Sequence, residues 1–336
     1  MKIGNFDLDK EILVVAEIGN NHEGNFDTAK KLTEMAAECG VDAVKFQTFK
    51  TEFYLSKSDM KRYERIKSFE LRKSQFEKLS ELAHSLGMLF ISTPLDLESS
   101  IFLESLVDCY KIASGDNNFY PLIEQIAMTG KPIIMSTGIA DLAQVKKSKK
   151  FICKVWQDRG LNHNLAILHC VSAYPVPPEQ ANLRAINTLQ NELDCIIGYS
   201  DHTLGIDASL LAVALGARII EKHFTLDKDF SDFRDHKISA DPNEMKELVD
   251  RIRQAYLMLG KYGKIVQPCE EDVVVNIRRS IVARSDLPKD HCIVPSDLMW
   301  TRPAGGLSPG EEGNLVGKRL RRAFLFGEAI HLSDVK

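Results

Sequence analysis

The sequence lacks the features that mark membrane proteins and nucleic-acid-binding proteins. No apolar run in its 336 residues reaches the roughly 20 residues that a membrane-spanning helix needs, and the N-terminus has no apolar signal segment. The net charge of −4 leaves no excess of basic residues of the kind that nucleic-acid-binding proteins carry. We therefore expect a cytoplasmic protein with no membrane partner and no nucleic-acid partner.

Paired cysteines are missing as well. The seven cysteines are scattered singly, and no C-x-x-C pair occurs. This odd number and this spacing argue against a small disulfide framework, and the missing cysteine ligands argue against a closed structural zinc site. We expect reduced thiols that are mostly buried.

What is present is an alternation of short β-type runs with longer segments of helical spacing. Eight such strand–helix units over roughly 250 residues predict an α/β fold, a (β/α)8 TIM barrel. A doubly wound open sheet is the alternative, but no G-x-G-x-x-G motif follows the first strand. Beyond the barrel the pattern changes to short strands and turns. We predict a barrel domain over residues 1–262, a linker over 263–279 and a small β-rich domain over 280–336.

Polar side chains stand at the end of nearly every predicted strand. The C-terminal ends of barrel strands form the face where barrel enzymes place their active sites. The candidates on the strands or just after them are Glu17, Lys45, Gln47, Thr93, Lys111, Ser114, Ser136, Ser172, Tyr174, Ser200, His202 and His223.

Two of these candidates are lysines inside apolar runs. A buried cation needs an anionic partner. If no carboxylate of the protein is dedicated to Lys45 and Lys111, a phosphate or carboxylate of a ligand is the natural partner. The nearby serine and threonine hydroxyls would then donate to the same anion.

His202 and His223 occupy matching places at the ends of successive predicted strands. Imidazole is a common metal ligand, and two histidines leave positions open for a substrate oxygen. The pair therefore indicates a metal that acts as a Lewis acid. The other histidines are interpreted as structural or exposed: His22, His84, His163, His169, His236, His291 and His331.

The sequence resembles the sialic acid synthase family over almost its whole length. The segments that match, in order, are AEIGNNHEGNFDTAKKL, AVKFQTF, STPLD, YKIASGDNNFYPLI, PIIMSTG, HCVSAYPVPPEQANL, GYSDHT and EKHFT. The segment RPAGGLSPGEEGNLVGKRL resembles the antifreeze-like (SAF) domain of that family. Eight motifs in register make this a specific resemblance.

The resemblance implies a metal-dependent condensation of phosphoenolpyruvate with an N-acetylmannosamine-type sugar in a domain-swapped homodimer. It implies Mn2+ or a similar divalent ion on His202 and His223, and a catalytic Asp235 beside the metal-bound water. Arg302 would reach the sugar of the partner subunit's barrel. Glu17, Gln47 and Tyr174 would face the sugar. The residues implied for phosphoenolpyruvate are Lys45, Thr93, Lys111, Ser114, Ser136 and Ser200.

The sequence departs from the family pattern in two places. Val171 and Ser172 replace a Thr-Asn pair, which alters one expected contact to phosphoenolpyruvate. Phe233 and Arg234 replace Gly-Pro before Asp235, which alters the loop that faces the sugar.

Other functions stay open at this point. The sugar is N-acetylmannosamine or a 6-deoxy-diacetamido hexose, which would give a legionaminic- or pseudaminic-type acid. A Schiff-base aldolase that uses Lys45 or Lys111 is an alternative from another enzyme class. A carbohydrate- or ice-binding role of residues 280–336 is a non-enzymatic alternative, against which the polar strand ends argue.

Overall fold

The structure is a computed structural model that describes residues 1–162 and 164–336. His163, one of the histidines interpreted above as structural or exposed, lies outside the described residues. The chain divides into two compact units, Met1–Gly260 and Lys261–Lys336.

The first unit contains a closed barrel. The strands β1 (Lys2–Ile3) and β2 (Phe6–Asp7) pair with each other outside the barrel. The barrel strands are β3 (Leu13–Gly19), β4 (Ala43–Thr48), β5 (Leu89–Pro94), β6 (Cys109–Ile112), β7 (Ile133–Ser136), β8 (Leu165–Cys170), β9 (Ile196–Asp201) and β10 (Ile219–His223). Strands β3 to β10 are parallel, and β10 pairs with both β9 and β3. The predicted (β/α)8 barrel is confirmed. The alternative prediction of a doubly wound open sheet is wrong, because the pairing of β10 with β3 closes the barrel and leaves it without an edge strand.

Helices follow the barrel strands along the chain. They are α1 (Phe26–Glu38), α2 (Thr51–Tyr54), α3 (Met60–Ser68), α4 (Lys73–Ser85), α5 (Leu97–Leu103), α6 (Tyr120–Met128), α7 (Leu142–Arg159), α8 (Ala185–Glu192), α9 (Asp207–Ala214), α10 (Arg234–Ile238) and α11 (Pro242–Leu259). Local sequence sets several helix starts. The Asn25 side chain accepts a hydrogen bond from the backbone N–H of Thr28 at 3.0 Å, and Asp241 accepts one from Glu244 at 2.9 Å. Both caps satisfy N–H groups that a helix leaves unpaired at its start.

Inside the barrel, an apolar layer lies below a polar layer. Ala43 and Ile219 belong to the apolar cluster that fills the N-terminal half of the barrel. Because side chains alternate along a strand, the residue two positions later points to the same side. Those residues are Lys45 and Glu221, and both are buried. The apolar layer thus forms a dry floor beneath the charged side chains.

The outward faces of the strands pack against the helices. Val14, Val44 and Phe90 share one apolar cluster with Leu32 of α1 and Leu79 of α4. Burial of each such side chain stabilises the fold by about 1.5–3 kcal/mol relative to exposure. This packing holds the strands in register, and the register fixes how far the C-terminal end of each strand extends along the barrel axis.

The second unit has its own small core. Strand β11 (Ser280–Ala283) pairs antiparallel with β12 (Leu298–Thr301), and Ile281 and Leu298 are buried in an apolar cluster of this unit. Helix α12 (Glu271–Ile277) lies within the predicted linker range. The β-rich character expected here is confirmed, whereas the antifreeze-like identity of this unit stays a prediction.

The length and hydropathy of the helices bear on whether the chain could cross a membrane. Among those that the structure describes, none combines the length and the apolar character that a span requires. The cytoplasmic location stays a prediction.

His22 makes the stability of the fold depend on pH. Its ring is 1% exposed, and burial lowers its pKa to about 4. The unfolded chain binds a proton at the ordinary pKa of about 6.5. The contribution of His22 is therefore complete above pH 6.5 and is lost as the pH falls towards 4. We expect this loss to be roughly 3 kcal/mol of unfolding free energy.

The variant His22→Asn tests this expectation by urea unfolding between pH 4 and 7.5. The ring Nδ1 accepts a hydrogen bond from the Gly24 backbone N–H at 3.0 Å, and an asparagine side-chain oxygen would accept the same bond without titrating. We expect a shallower dependence of the unfolding free energy on pH in the variant. Equal dependence in the two proteins would contradict the assignment.

Candidate active site

A cavity of about 660 Å³ opens at the C-terminal ends of the barrel strands. It brings together every predicted site residue of the first unit. These residues are Glu17, Lys45, Gln47, Thr93, Lys111, Ser114, Ser136, Ser172, Tyr174, Ser200, His202, His223 and Asp235. Arg302 belongs to the second unit, where its Nε donates to the carbonyl of Ile277 at 2.7 Å.

Four charged side chains form a buried cluster at the base of the cavity. Lys45 Nζ lies 2.9 Å from Glu17 Oε2 and 3.6 Å from Glu221 Oε2, and Lys111 Nζ lies 3.3 Å from Glu221 Oε1. The Ser200 hydroxyl donates to Glu221 at 2.9 Å. The condition under which a ligand anion would be needed to balance these lysines is therefore not met. Two glutamates from β3 and β10 already do so.

The two glutamates differ in their tendency to ionise. Burial raises the pKa of Glu221, but Lys111 and Lys45 outweigh burial and lower this pKa to about 2. Burial raises the pKa of Glu17, and the nearby charge of Glu221 raises it further against the effect of Lys45. The cluster thus contains two lysines, one firmly ionised carboxylate and one carboxyl group that takes up a proton more readily.

Serine hydroxyls beside this cluster lack partners. Ser136 Oγ and Ser172 Oγ are buried, and neither has a hydrogen-bond partner among the residues that the structure describes. The backbone N–H of Gly138 lies between β7 and α7 and donates to Ser114 Oγ at 3.0 Å. A Cβ at Gly138 would lie 2.1 Å from Ser172 Oγ and 2.7 Å from Ser114 Oγ, so a side chain at this position would displace both hydroxyl groups. Unpartnered buried hydroxyls are costly unless a ligand engages them.

Two of the residues expected to face the sugar, Glu17 and Gln47, form a hydrogen-bonded chain with Asn20 on one wall. Asn20 Nδ2 donates to Gln47 Oε1 at 3.0 Å, and Gln47 Nε2 donates to Glu17 Oε1 at 3.3 Å. Thr93 Oγ1 accepts from Lys45 Nζ at 3.4 Å. This chain links the charged cluster to the polar wall of the cavity.

His202 and His223 lie side by side with their ring centroids 5.5 Å apart. His202 Nδ1 is 2.9 Å from the Val171 carbonyl, so Nδ1 carries the proton in the neutral ring and Nε2 keeps a free lone pair. Burial, followed by the positive charges of His202 and Lys45, holds the pKa of His223 well below its usual range. Tyr174 packs over His202 with a centroid distance of 4.3 Å.

This histidine pair fits a metal ion with two protein ligands. His223 Nδ1 is buried and has no hydrogen-bond partner within the described part of the chain. Across residues 1–162 and 164–336, no group of three or more His, Cys, Asp or Glu side chains is arranged to hold a metal ion. A metal on His202 and His223 would therefore keep positions open for substrate oxygen or water.

The thiol of Cys170 affects the protonation of His202. Burial lowers the pKa of His202, but hydrogen bonds to the Cys170 thiol and the Val171 carbonyl outweigh burial, so this pKa is raised. A metal ion on His202 would therefore have to compete with a proton.

In the loop after β10, Phe233 and Arg234, the two residues there that depart from the family pattern, both make specific contacts. Phe233 packs edge-on against Phe69 at 5.1 Å between centroids, and the Arg65 guanidinium lies over the Phe233 ring. The Arg234 guanidinium lies 4.4 Å from the centroid of Tyr174, and its Nε donates to Asp235 Oδ1 at 3.2 Å. Asp235 is thus held at the cavity wall by its neighbour.

The sequence placed Asn20 and Glu221 at predicted strand ends but indicated no role for them, and it gave no sign that Cys170 or Arg234 lines the site. Glu221 had a usable signal, because it alternates with His223 on one face of its strand. The positions of Cys170 and Arg234 depend on how loops and neighbouring strands meet, which no local pattern shows.

Removal of Glu221 should strongly destabilise the protein. Glu221→Gln leaves Lys111 buried without its carboxylate and removes one of the two partners of Lys45, and such a loss costs about 3–5 kcal/mol of unfolding free energy. Glu192→Gln is the control, since Glu192 forms a 2.6 Å pair with Lys146 in which both side chains are about half exposed. That change should stay within about 1 kcal/mol. Equal effects in urea unfolding would contradict the assigned pairing.

Several known proteins that this chain resembles in sequence and in structure are synthases of sialic-type acids. The N,N'-diacetyllegionaminic acid synthase of Legionella pneumophila is 42% identical over 91% of this chain and 90% of its own length. The human N-acetylneuraminate-9-phosphate synthase is 35% identical over 91% and 88%. The crystal structure of the sialic acid synthetase from Leptospira borgpetersenii, in complex with citrate, superposes with a TM-score of 0.77 at 33% identity, covering 82% of this chain and 94% of that one. The sequence model of the NeuB family matches residues 32–264, more than half of the chain. The chain therefore belongs to the NeuB family and is an enzyme of the sugar-acid synthase type.

Proposed function

We propose that this enzyme condenses phosphoenolpyruvate with N-acetylmannosamine or a related acetamido aldose, giving a nonulosonic acid of the N-acetylneuraminate type and phosphate. One observation carries the proposal: the unpartnered hydroxyls of Ser136 and Ser172 lie in the cavity that also contains Lys45 and Lys111. Phosphoenolpyruvate has a phosphate and a carboxylate, and it matches a pocket with two ammonium groups and the two hydroxyl donors of Ser136 and Ser172.

The reaction forms one carbon–carbon bond and one carbon–oxygen bond, from C2 to water, and it breaks the carbon–oxygen bond between C2 and the phosphate. C3 of phosphoenolpyruvate attacks the aldehyde carbon of the sugar, C2 takes up a water oxygen, and phosphate leaves with its bridging oxygen. One phosphoenolpyruvate, one aldose and one water thus give one sugar acid and one phosphate. Lys45 and Lys111 hold the anionic substrate together with Ser114, Ser136, Ser172, Ser200 and Thr93.

Glu17 and Asp235 act on the sugar side. The raised pKa of Glu17 makes it the carboxyl group of the cluster that takes up a proton more readily, and we assign to it the transfer of a proton to the sugar's aldehyde oxygen. Asp235 is buried at the wall and takes up a proton from the water that adds to C2. Gln47 and Tyr174 orient the sugar between these carboxyl groups.

His202 and His223 would hold a divalent cation, and we propose Mn2+. When bound, this ion polarises the aldehyde oxygen and stabilises the negative charge that develops on it. The neutral state of His223 supports its role as a ligand, since only an unprotonated imidazole nitrogen binds metal.

A legionaminic-type acid is the second candidate product. The Legionella relative is 42% identical and the human relative 35%, which supports a 6-deoxy-diacetamido hexose as the aldose. Release of phosphate with a panel of aldoses distinguishes the two. Borohydride trapping separates both from a Schiff-base aldolase, because only the aldolase would be labelled.

The first test of the function measures the phosphate that the enzyme releases from phosphoenolpyruvate in the presence of Mn2+ and N-acetylmannosamine. We expect release by the wild type, and we expect His202→Ala and His223→Ala each to reduce the rate by about 100-fold or more, because charge on the aldehyde oxygen loses its stabilisation. Wild type treated with a chelator should be inactive and should recover with Mn2+.

His84→Ala is the matched control for these variants. His84 lies in α4, where its Nε2 is 2.8 Å from Asp108 Oδ2, and its side chain is 46% exposed. Its loss should leave the rate unchanged. Full activity in excess chelator would remove the metal from the proposal, and absence of phosphate release with every aldose would overturn the function.

We further propose a domain-swapped homodimer in which Arg302 reaches the sugar in the partner's barrel. Arginine suits this role, because it stays charged and offers planar donors to a carbonyl. A two-fold dimer makes the exchange reciprocal, so each site would use both chains.

Mixed dimers test this arrangement. Arg302→Ala and His223→Ala should each be inactive alone, and their mixed dimer should regain activity. In that dimer, one site combines an intact barrel with an intact arginine from the other chain. Isolated mixed dimers with no activity above the parent variants would show that Arg302 does not act across the dimer.

A further inference from the structure

We propose that the buried ion pair between Lys222 and Asp201 positions His202 and His223 for the metal. Lys222 directly precedes His223, and Asp201 directly precedes His202. Lys222 and Asp201 are thus positioning residues that lie outside the cavity. The inference rests on the metal site of the proposed function and goes beyond it.

The ion pair joins β10, which ends at His223, to β9, whose last residue directly precedes His202. Lys222 on β10 is the register partner of Asp201 on β9, and Lys222 Nζ lies 3.2 Å from Asp201 Oδ2. Their side chains are 1% and 0% exposed. Because side chains alternate along a strand, His223 points into the cavity while Lys222 points to the outer face. One ion pair on the outside therefore sets the spacing of the two rings on the inside.

The same pair holds the backbone on both sides of His202. Asp201 Oδ1 accepts from the backbone N–H and the hydroxyl of Thr203, each at 2.8 Å. Lys222 Nζ donates to the Thr203 carbonyl at 2.5 Å. Ser209 of α9 donates to Asp201 Oδ2 at 2.7 Å. The residues before and after His202 are thus clamped, which leaves its ring little freedom.

Stability alone is a poor reason for this ion pair. Two buried charges lose their hydration, and a well-packed apolar pair at the same positions often stabilises a protein equally well. The other outward-facing residues of these strands are apolar or aromatic, such as Ile197, Tyr199 and Ile220. The ion pair and its hydrogen bonds fix the backbone beside both histidines. A metal ion requires this, because its ligands must be held close to one geometry.

The competing explanation is that the pair only braces the seam between β9 and β10. A brace would lower stability when removed but would leave metal affinity unchanged. A positioning device would lower metal affinity by more than its loss of stability accounts for. The two explanations therefore differ in a measurement of metal binding that requires no turnover.

The experiment titrates metal-free full-length protein with Mn2+ and follows free Mn2+ by electron paramagnetic resonance. The variants are Lys222→Met and the nearly isosteric Asp201→Asn, and thermal unfolding is recorded for each. Arg253→Met is the control, because it breaks another ion pair of the barrel unit, a partly exposed one in which Arg253 Nη2 lies 2.6 Å from Asp42 Oδ1. If Lys222→Met does not fold, Asp201→Asn decides the outcome.

We expect wild type and Arg253→Met to bind Mn2+ with the same dissociation constant, and both variants of the pair to bind about 10- to 100-fold more weakly. Dissociation constants within twofold of wild type in the pair variants, together with reduced thermal stability, would overturn the inference and leave the metal site standing. Wild type that binds no Mn2+ would overturn the inference together with the metal of the proposed function.

Discussion

The structure depends on one constraint, which is the pairing of charges above a dry barrel floor. Closing eight parallel strands brings inward-facing side chains of the same height into contact. The lower layer is apolar and excludes water, so Lys45 and Lys111 must find anions within the barrel. Glu17 and Glu221 are those anions. The polar chemistry of the cavity is built on this four-residue cluster.

The two glutamates of the cluster differ in pKa, and this difference suits an anionic substrate. Glu221 contacts both lysines and stays ionised, whereas Glu17 is the carboxyl that more easily holds a proton. Protonation of Glu17 would leave two lysines against one carboxylate, which would favour an anion in the cavity, while the unliganded cluster already balances its own charges. Free hydroxyls at Ser136 and Ser172 complete a pocket for its oxygens.

The cavity is supported from outside as much as from within. The Asp201–Lys222 pair lies on the helix side of β9 and β10. Across the cavity mouth, buried His236 joins Glu23 at 3.0 Å and Thr225 at 2.7 Å, which ties the loop of Asp235 to the loop after β3. Rigid supports of this kind allow residues on several strands and loops to act on one substrate.

The sequence by itself determined the barrel and the face on which the site lies. The period-2 pattern of each strand and the helical spacing between strands are local, and they predicted that Glu17, Lys45, Lys111, His202 and His223 would converge at the strand ends. Only the tertiary structure decided which charges pair. Lys45 and Lys111 meet Glu221 across separations of 110 residues or more. Strand register and barrel closure set those contacts, and neither is written in any local pattern.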